Sequence, residues 1–323
     1  MTSQDVLGLK VVVIAGGWSD EKEISLDSGR ACQKALTEVG FKGVDLLDAA
    51  DGEFVSKLVA GGYDVAFVAM HGCYGEDGCI QGLLEILHMP YTFSGVLGSA
   101  VSTEKEVAKT LYRQAGIPTP RGTDVAAGTK LTDDDIDRVV DELGLPLFVK
   151  PAANGSSYGV TRVTSASQLR EAVERASAGG DRVLIEECVT GTEITVPVIG
   201  NDDPKALPIV EIVTGAEFYN LKVKYEPSSM HHVIPARLEA GVYARAQELA
   251  VRAHRALGCL GASRSDFIVR EDGTPVILET NTIPGMTENS LLPDSARHGG
   301  IEFPELCKKF VEYALEAHGK SEE

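Results

Sequence analysis

Buried strands followed by polar, glycine-containing loops are the main pattern in the first part of the chain. Residues 11–15 are all apolar and lead into a pair of glycines, after which residues 21–36 have helical character. The pattern predicts a second buried strand over residues 64–70, which leads into the glycine-rich loop 71–78. Continuous apolar strands are typical of parallel sheets covered by helices on both faces. Because ligand-binding groups collect at the carboxyl ends of such strands, both loops are candidate sites.

Helical periodicity predicts a helix over residues 103–115. Apolar residues recur there at steps of three and four, and Thr103 with Glu106 fits a capping box. Gly116 and Pro118 end the pattern, and beyond them short strands outnumber helices. The predicted strands cover residues 147–150, 160–163, 183–186 and 194–199, and the predicted later helices cover 167–178, 243–257 and 302–315.

The length and charge of the chain limit its organisation and its partners. A chain of 323 residues is longer than one hydrophobic core usually organises, so we expect two or three lobes. The 48 acidic and 30 basic residues give a net charge of -18, which would repel the phosphate backbone of a nucleic acid. This balance favours a small-molecule partner and no nucleic acid.

The sequence also predicts a cytosolic protein without a membrane partner. No apolar stretch approaches the roughly 18 residues of a membrane span, and the first residues lack a signal-peptide pattern. The six cysteines form no Cys-x-x-Cys pair and no histidine lies at zinc-finger spacing from them. We therefore interpret them as thiols in a reducing compartment.

The segment from Lys150 to Gly159 is a candidate anion-binding loop between two predicted strands. Its glycines free backbone N–H groups, and two hydroxyls and a lysine accompany them. Such a loop can wrap around a phosphate group. A plain surface hairpin turn is the alternative interpretation of the same residues.

The sharpest geometric signal is a predicted hairpin over residues 266–281. An Asp272-Gly273 turn places Asp266 directly opposite Glu279, and Asn281 points to the same face. Two carboxylates and an amide oxygen suit a hard cation, Mg²⁺ before Zn²⁺, that is shared with substrate phosphates. The alternative is an edge hairpin with solvated acids, although opposed like charges without a cation would be destabilising.

These motifs, taken together, resemble the D-alanine:D-alanine ligases of the ATP-grasp superfamily. The resemblance runs in order from about residue 10 to residue 315. The matching segments are residues 16–26, His71-Gly72 with residues 75–78, residues 150–159, residues 217–219, Lys224-Tyr225 and residues 279–287. The resemblance implies an α/β fold with three parts, an N-terminal parallel-sheet domain over 1–101 and the two α+β subdomains of an ATP-grasp fold over 102–188 and 189–323.

The resemblance further implies that ATP lies between the two ATP-grasp subdomains. Lys105 and Lys150 would contact its phosphates, Glu186 to Val189 would contact its adenine, and Glu193 would contact its ribose. The full set implied for ATP is Lys105, Lys150, Ser156, Glu186, Glu187, Val189, Glu193 and Lys224. Asp266, Glu279 and Asn281 would hold two Mg²⁺ ions, for which Mn²⁺ would substitute, in agreement with the hairpin geometry.

Other residues are implied for the two D-alanine molecules. Glu21 would bind the ammonium group of the first D-alanine near His71, and Ser290 with Leu291 would receive the carboxylate of the second. Arg264 and the Gly285 N–H group would stabilise negative charge that develops on oxygen during catalysis. Glu21, Ser156 and Tyr225 would form a hydrogen-bonded set that closes the site.

The expected activity is ATP-dependent synthesis of D-alanyl-D-alanine for peptidoglycan, by a cytoplasmic homodimer. A ligase that joins D-alanine to D-lactate or D-serine, or another ATP-grasp carboxylate-amine ligase, is the alternative, and Tyr225 speaks against the lactate version. A catalytically inactive nucleotide-binding regulator is a third reading, which the presence of the metal carboxylates and Arg264 disfavours. Departures from the family pattern at Lys22, residues 220–223 and residues 230–232 leave the preference for the second substrate open.

Overall fold

The computed structural model describes residues 6–152, 159–180, 182–214 and 230–319. In these ranges the chain forms three β-sheets, and helices cover them. This mixed architecture, with a parallel sheet first and antiparallel sheets after it, is the predicted fold class. The division at residues 101 and 188 stays a prediction.

The first sheet is parallel and has the strand order β2-β1-β3. Its strands are β1 (Lys10–Ala15), β2 (Gly43–Asp48) and β3 (Val65–Val68). The helices that follow these strands are α1 (Lys22–Glu38), α2 (Phe54–Ala60), α3 (Cys79–Ile86), α4 (Val96–Thr103) and α5 (Lys105–Gln114). Because the chain leaves β1 towards β2 on one side and β3 lies on the other, the carboxyl ends of β1 and β3 flank a topological switch point. The two candidate loops emerge there.

The second sheet is antiparallel, with the order β4-β7-β5-β6. Its elements are β4 (Gly122–Val125), α6 (Asp133–Leu143), β5 (Leu147–Pro151), β6 (Thr161–Val163), α7 (Ala166–Ala176) and β7 (Val183–Glu187). Helices α6 and α7 pack their apolar residues against Leu147, Val149 and Ile185 on one face. Because side chains alternate along a strand, Lys150 and Glu186 point to the opposite face.

The third sheet is also antiparallel, with the order β11-β10-β8-β12-β13 and β9 beside β8. Its strands are β8 (Thr192–Ile199), β9 (Lys205–Ala206), β10 (Val210–Thr214), β11 (Met230–Val233), β12 (Ala262–Val269) and β13 (Pro275–Asn281). Helix α8 (Ala240–Ala256) and α5 cover the face that carries Ile194 and Phe267. The alternation along the strands leaves Glu193 and Asp266 on the other face.

The last two helices return to the first sheet. They are α9 (Leu291–His298) and α10 (Phe303–Gly319). The ring of Phe310 on α10 lies 5.1 Å from that of Phe93 and 6.5 Å from that of Phe67 on β3. The end of the chain therefore belongs to the first core. None of the helices in the described ranges combines the length and apolar character that spanning a membrane requires.

The predicted start of the helix over residues 103–115 is wrong. Thr103 is the last residue of α4, and Glu104 interrupts the helix with a ψ of 93° before α5 begins at Lys105. The Thr103 hydroxyl lies 2.7 Å from the Glu76 carbonyl and 3.2 Å from that of Ser99. Because it donates to these carbonyls instead of accepting from Glu106, the capping box does not form.

Candidate active site

The loops after β1 and β3 meet at the switch point, as the sequence predicts. The Ser19 hydroxyl donates to the His71 carbonyl at 2.7 Å. Gly72 has a φ of +72°, and a Cβ atom there would lie 3.0 Å from Glu21 Oε2. A side chain at position 72 would therefore press against the Glu21 carboxylate. Glu21 and His71, both predicted substrate residues, lie in neighbouring loops.

His71 is buried and both of its ring nitrogens are engaged. Only 5% of the residue is exposed. Its Nδ1 lies 3.1 Å from the Ile283 carbonyl, and its Nε2 lies 2.9 Å from the Ser28 hydroxyl on α1. His71 thus connects the first sheet to the segment that follows β13.

The β12–β13 hairpin has the predicted pairing of acidic residues. Asp266 lies opposite Glu279, and Arg264 lies opposite Asn281. The Asn281 side-chain oxygen accepts a hydrogen bond from the Ile283 N–H at 2.9 Å. A carbonyl oxygen has two lone pairs, so this bond still leaves acceptor capacity.

The predicted two-residue turn of this hairpin is wrong. Arg270 pairs with Thr274, and Gly273, with a φ of +80°, donates back to the Arg270 carbonyl at 2.9 Å. The loop therefore has three residues, which shifts the pairing by one position. A register shift between Asp266 and Phe267 restores it. The pairing of Asp266 with Glu279 results from both departures together, because the irregularity compensates for the longer loop.

Cations neutralise the two opposed carboxylates. Arg264, whose side chain is only 7% exposed, donates to both oxygens of Asp266 at 3.1 and 3.0 Å. Lys105 Nζ lies 3.6 Å from Glu279 Oε2. Burial lowers the pKa of Lys105 even though Glu279 favours its charged form. The hairpin carboxylates are therefore part of a mixed-charge cluster, in which Glu279, on the edge strand β13, keeps a side chain that is 41% exposed.

A second ion cluster lies deep between the second and third sheets. Glu186 Oε2 is 2.7 Å from Lys150 Nζ, and Glu186 Oε1 is 2.5 Å from Lys109 Nζ. Burial alone would raise the pKa of Glu186, but the two lysines lower it to about 2. Burial lowers the pKa of Lys109 to about 8, whereas Glu186 outweighs burial and raises the pKa of Lys150. Sequence reasoning missed Lys109, although its position four residues after Lys105 on α5 places it on the same helix face.

The residues predicted to contact adenine and ribose lie at the junction of β7 and β8. Glu187 is paired with Arg121 at 3.0 Å and with Arg270 at 2.6 Å, and Val189 is buried. Burial, and then the nearby Asp266, raise the pKa of Glu193 to about 7. Glu193 and Asp266 therefore share the face of the third sheet that bears the acidic cluster.

Ser290 and Gly285 lie together at the start of α9. Ser290 is the N-terminal capping position of α9, and its hydroxyl lies 3.1 Å from the Thr287 N–H. A Cβ atom on Gly285 would lie 3.1 Å from Ser290 Oγ. The first N–H groups of a helix and its dipole attract anions, so Ser290 and Leu291 are placed where a carboxylate is favoured.

Three predicted site residues, Ser156, Lys224 and Tyr225, lie outside the described residues, as do the atypical residues 220–223. Within the described ranges no group of three or more His, Cys, Asp or Glu side chains is arranged to hold a metal ion. The predicted metal set has two carboxylates and one amide, so this result does not test it. The site assignments made from sequence stay predictions.

Family models and known proteins resemble this chain over nearly its whole length. Models of the D-ala D-ala ligase C-terminus and N-terminus match residues 111–312 and 51–94. The D-alanine–D-alanine ligase of Desulforamulus reducens is 42% identical over 96% of this chain and 100% of its own length. That of Cupriavidus taiwanensis is 46% identical over 96% of this chain and 93% of its own length.

Solved structures agree with this result. The D-alanine–D-alanine ligase of Bacillus anthracis complexed with ATP has a TM-score of 0.84 and 31% identity, over 97% of this chain and 100% of its own. The fold and its paired ion clusters define an ATP-dependent ligase of the ATP-grasp type. Both family models and the full-length relatives are D-alanine–D-alanine ligases, so they identify one family within this class of ligases. The chain belongs to the D-alanine–D-alanine ligase family.

Proposed function

We propose that the protein joins two D-alanine molecules into D-alanyl-D-alanine, with hydrolysis of ATP to ADP and phosphate, to supply peptidoglycan synthesis. The observation that carries this proposal is the arrangement on one face of the third sheet. Asp266 and Glu279 lie opposite each other there, and Arg264 and Lys105 contact them. Acidic ligands for a metal, a lysine for phosphate and an arginine for developing negative charge are the groups that acyl-phosphate chemistry needs.

ATP is proposed to bind between the second and third sheets. Lys105 and Lys150 would contact its phosphates, Glu186 to Val189 would surround the adenine, and Glu193 would accept hydrogen bonds from the ribose. The burial of both lysines supports this role, since an ammonium group in a low-dielectric site interacts strongly with phosphate. Ser156 and Lys224 complete the proposed ATP set.

The residues at the hairpin suit Mg²⁺, or Mn²⁺ in its place. Asp266, Glu279 and Asn281 offer only oxygen atoms, which hard cations prefer. In this structure Arg264 and Lys105 neutralise the two carboxylates. A metal cation fits the same carboxylate oxygens because it would supply the same neutralising charge. When bound there, such ions would neutralise phosphate charge and spread the negative charge of the transferred group.

The proposed chemistry has two steps. A carboxylate oxygen of the first D-alanine, whose ammonium group Glu21 holds, attacks the γ-phosphorus of ATP, and ADP leaves. The deprotonated amine of the second D-alanine, whose carboxylate lies at Ser290 and Leu291, then attacks the acyl carbon. Arg264 and the Gly285 N–H stabilise the oxyanion of the tetrahedral intermediate, and phosphate leaves as the peptide bond forms, taking up the proton that the attacking nitrogen loses.

Several further points belong to the proposal. Glu21, Ser156 and Tyr225 form a hydrogen-bonded set that keeps water from the acyl phosphate, and Tyr225 favours D-alanine over D-lactate as the second substrate. The chain divides into parts over 1–101, 102–188 and 189–323. The protein works as a homodimer in the cytoplasm. A D-alanine:D-serine or D-alanine:D-lactate ligase is the second candidate, because residues 220–223 depart from the family pattern.

One experiment tests the proposal directly. The protein is incubated with ATP and Mg²⁺, and with D-alanine alone, D-alanine plus D-serine, or D-alanine plus D-lactate. Phosphate release is measured and the products are identified by mass spectrometry. We expect D-alanyl-D-alanine in all three mixtures, with one phosphate released per dipeptide. Absence of the dipeptide would overturn the proposal, and a depsipeptide or a D-alanyl-D-serine product in excess would favour the second candidate.

A further inference from the structure

The segment from Ile283 to Met286, which contains Gly285, is held at both ends by side chains of the first domain. The Met286 N–H donates to Ser28 Oγ at 3.3 Å, and the Met286 carbonyl accepts from the Cys32 thiol at 3.8 Å. At the other end, the Ile283 carbonyl lies 3.1 Å from His71 Nδ1. Gly285 therefore lies between two fixed points.

With a neutral imidazole at His71, the hydrogen bonds that hold this segment have one consistent direction. A carbonyl oxygen cannot donate, so His71 Nδ1 carries the proton that the Ile283 carbonyl accepts. In the neutral ring Nε2 is then an acceptor, and the Ser28 hydroxyl, 2.9 Å away, donates to it. Ser28 Oγ in turn accepts from the Met286 N–H. The donors therefore follow one another from the Met286 N–H to Ser28, from Ser28 to His71, and from His71 to the Ile283 carbonyl. We call these three hydrogen bonds the relay.

Burial separates this relay from bulk solvent. Ser28, Ile283 and Met286 are each 0% exposed, and His71 is 5% exposed. A buried hydroxyl or imidazole that loses its partner leaves the other partner unsatisfied, so the relay resists being broken. Ser28 and Cys32 are one turn apart on α1 and therefore act from the same helix face.

We infer that Ser28 and His71 are positioning residues that hold the Gly285 N–H in place for the oxyanion. The inference rests on the proposed function. Oxyanion donors act within about 2.7 to 3.1 Å of the developing charge, so a small displacement of Gly285 weakens transition-state stabilisation. Binding of the first D-alanine does not depend on that contact.

The test compares steady-state kinetics of D-alanine ligation in wild type, Ser28→Ala and His71→Asn. We expect kcat to fall about 10- to 100-fold in both variants, with KM for the first D-alanine within about two-fold of wild type. The double variant should be no slower than about the slower single variant, because both changes break one relay. Ser99→Ala removes an equally buried hydroxyl that donates to the Ser94 carbonyl outside the relay, and it should leave kcat unchanged.

Controls keep the outcomes distinct. Ser28→Cys replaces the hydroxyl by a thiol, which is only a weak donor and acceptor, and it is used in place of Ser28→Ala if that variant does not fold, as judged by circular dichroism and thermal unfolding. A raised KM for the first D-alanine with unchanged kcat in His71→Asn would overturn the inference, as would additive effects in the double variant. If wild type makes no D-alanyl-D-alanine, the proposed function fails, whereas a kinetic result confined to the variants bears only on the relay.

Discussion

Replacing Glu193 by glutamine should stabilise the protein, and more so at alkaline pH. Burial and the charge of Asp266 raise the pKa of Glu193 to about 7, from an ordinary value of 4.5. An unfolded chain ionises this carboxyl near its ordinary value, whereas the folded protein keeps it protonated until about pH 7. Between these values the folded state binds the extra proton, so the stability of the fold decreases as pH rises through this window.

The magnitude follows from the two pKa values. A carboxyl that titrates at about 7 in the folded state and 4.5 in the unfolded state lowers the free energy of unfolding by about 1 kcal/mol at pH 5 and about 3 kcal/mol at pH 8. Glutamine has nearly the same shape and does not ionise. Glu193→Gln should therefore raise the free energy of unfolding by about 2 kcal/mol more at pH 8 than at pH 5.

Urea unfolding of wild type and Glu193→Gln at pH 5 and pH 8 measures this difference. Glu174→Gln, a change at an exposed position on α7, is the matched control and should be nearly neutral at both pH values. Equal stabilisation by Glu193→Gln at both pH values would refute the reasoning, since it would mean that Glu193 has the same pKa in the folded and the unfolded protein. As a second readout, KM for ATP in wild type should fall from pH 6 to pH 8 as Glu193 ionises and accepts from ribose, and this trend should disappear in the variant.

Three further variants test the ion clusters. Glu279→Gln should abolish ligation without unfolding the protein, whereas the control Asp272→Asn at the tip of the same hairpin should retain activity. Near-normal ligation by Glu279→Gln at saturating Mg²⁺ would refute the metal assignment. Arg264→Lys should lower kcat about 10²-fold or more, because an ammonium group lacks the planar donor pair, and a change in KM alone would argue for simple binding. Lys109→Met should lower the thermal unfolding temperature and raise KM for ATP, because it leaves Glu186 with one cation; unchanged values of both would exclude this role.

The acidic hairpin shows how much of the site could be read from the sequence. The Asp-Gly pair between two apolar strands indicated a hairpin with a tight turn, and the opposition of Asp266 and Glu279 inferred from it is present only because two departures from the expected register cancel. The turn type was not predictable, since a three-residue loop and a two-residue loop can carry the same Asp-Gly pair. The irregularity that restores the register lies at Leu278 on β13, since β12 pairs with β8 without a shift through Phe267, and it has no local signature in the sequence.

Most structural features that could not be predicted from the sequence depend on contacts between distant parts of the chain. Nothing local to Ser28 indicates that its hydroxyl meets Met286, because α1 reaches that segment only after three sheets have assembled. The capping box at Thr103 failed for the same reason, since the Glu76 carbonyl competes for the hydroxyl. Lys109 is the exception. Its spacing of four residues from Lys105 was visible in the sequence, so a second lysine on the same helix face, in need of a carboxylate partner, could have been predicted.

The ion pairs of the site explain how so many charges can be buried before any ligand binds. Among the described residues, the cations proposed to contact ATP or the oxyanion are Lys105, Lys150 and Arg264, and each is paired with a carboxylate that is proposed to bind a metal or surround adenine. The pairs are Lys105 with Glu279, Lys150 and Lys109 with Glu186, and Arg264 with Asp266. An isolated buried charge is strongly disfavoured, so these pairs stabilise the fold of the site. Within these pairs four cations face three carboxylates, and Glu193 on the same face of the third sheet adds a negative charge when it ionises. Under the proposed function, binding of ATP with its metal ions would exchange partners at the hairpin instead of creating new buried charges. Asp266 and Glu279 would pair with the metal, and Arg264 and Lys105 would be released to the oxyanion and to phosphate.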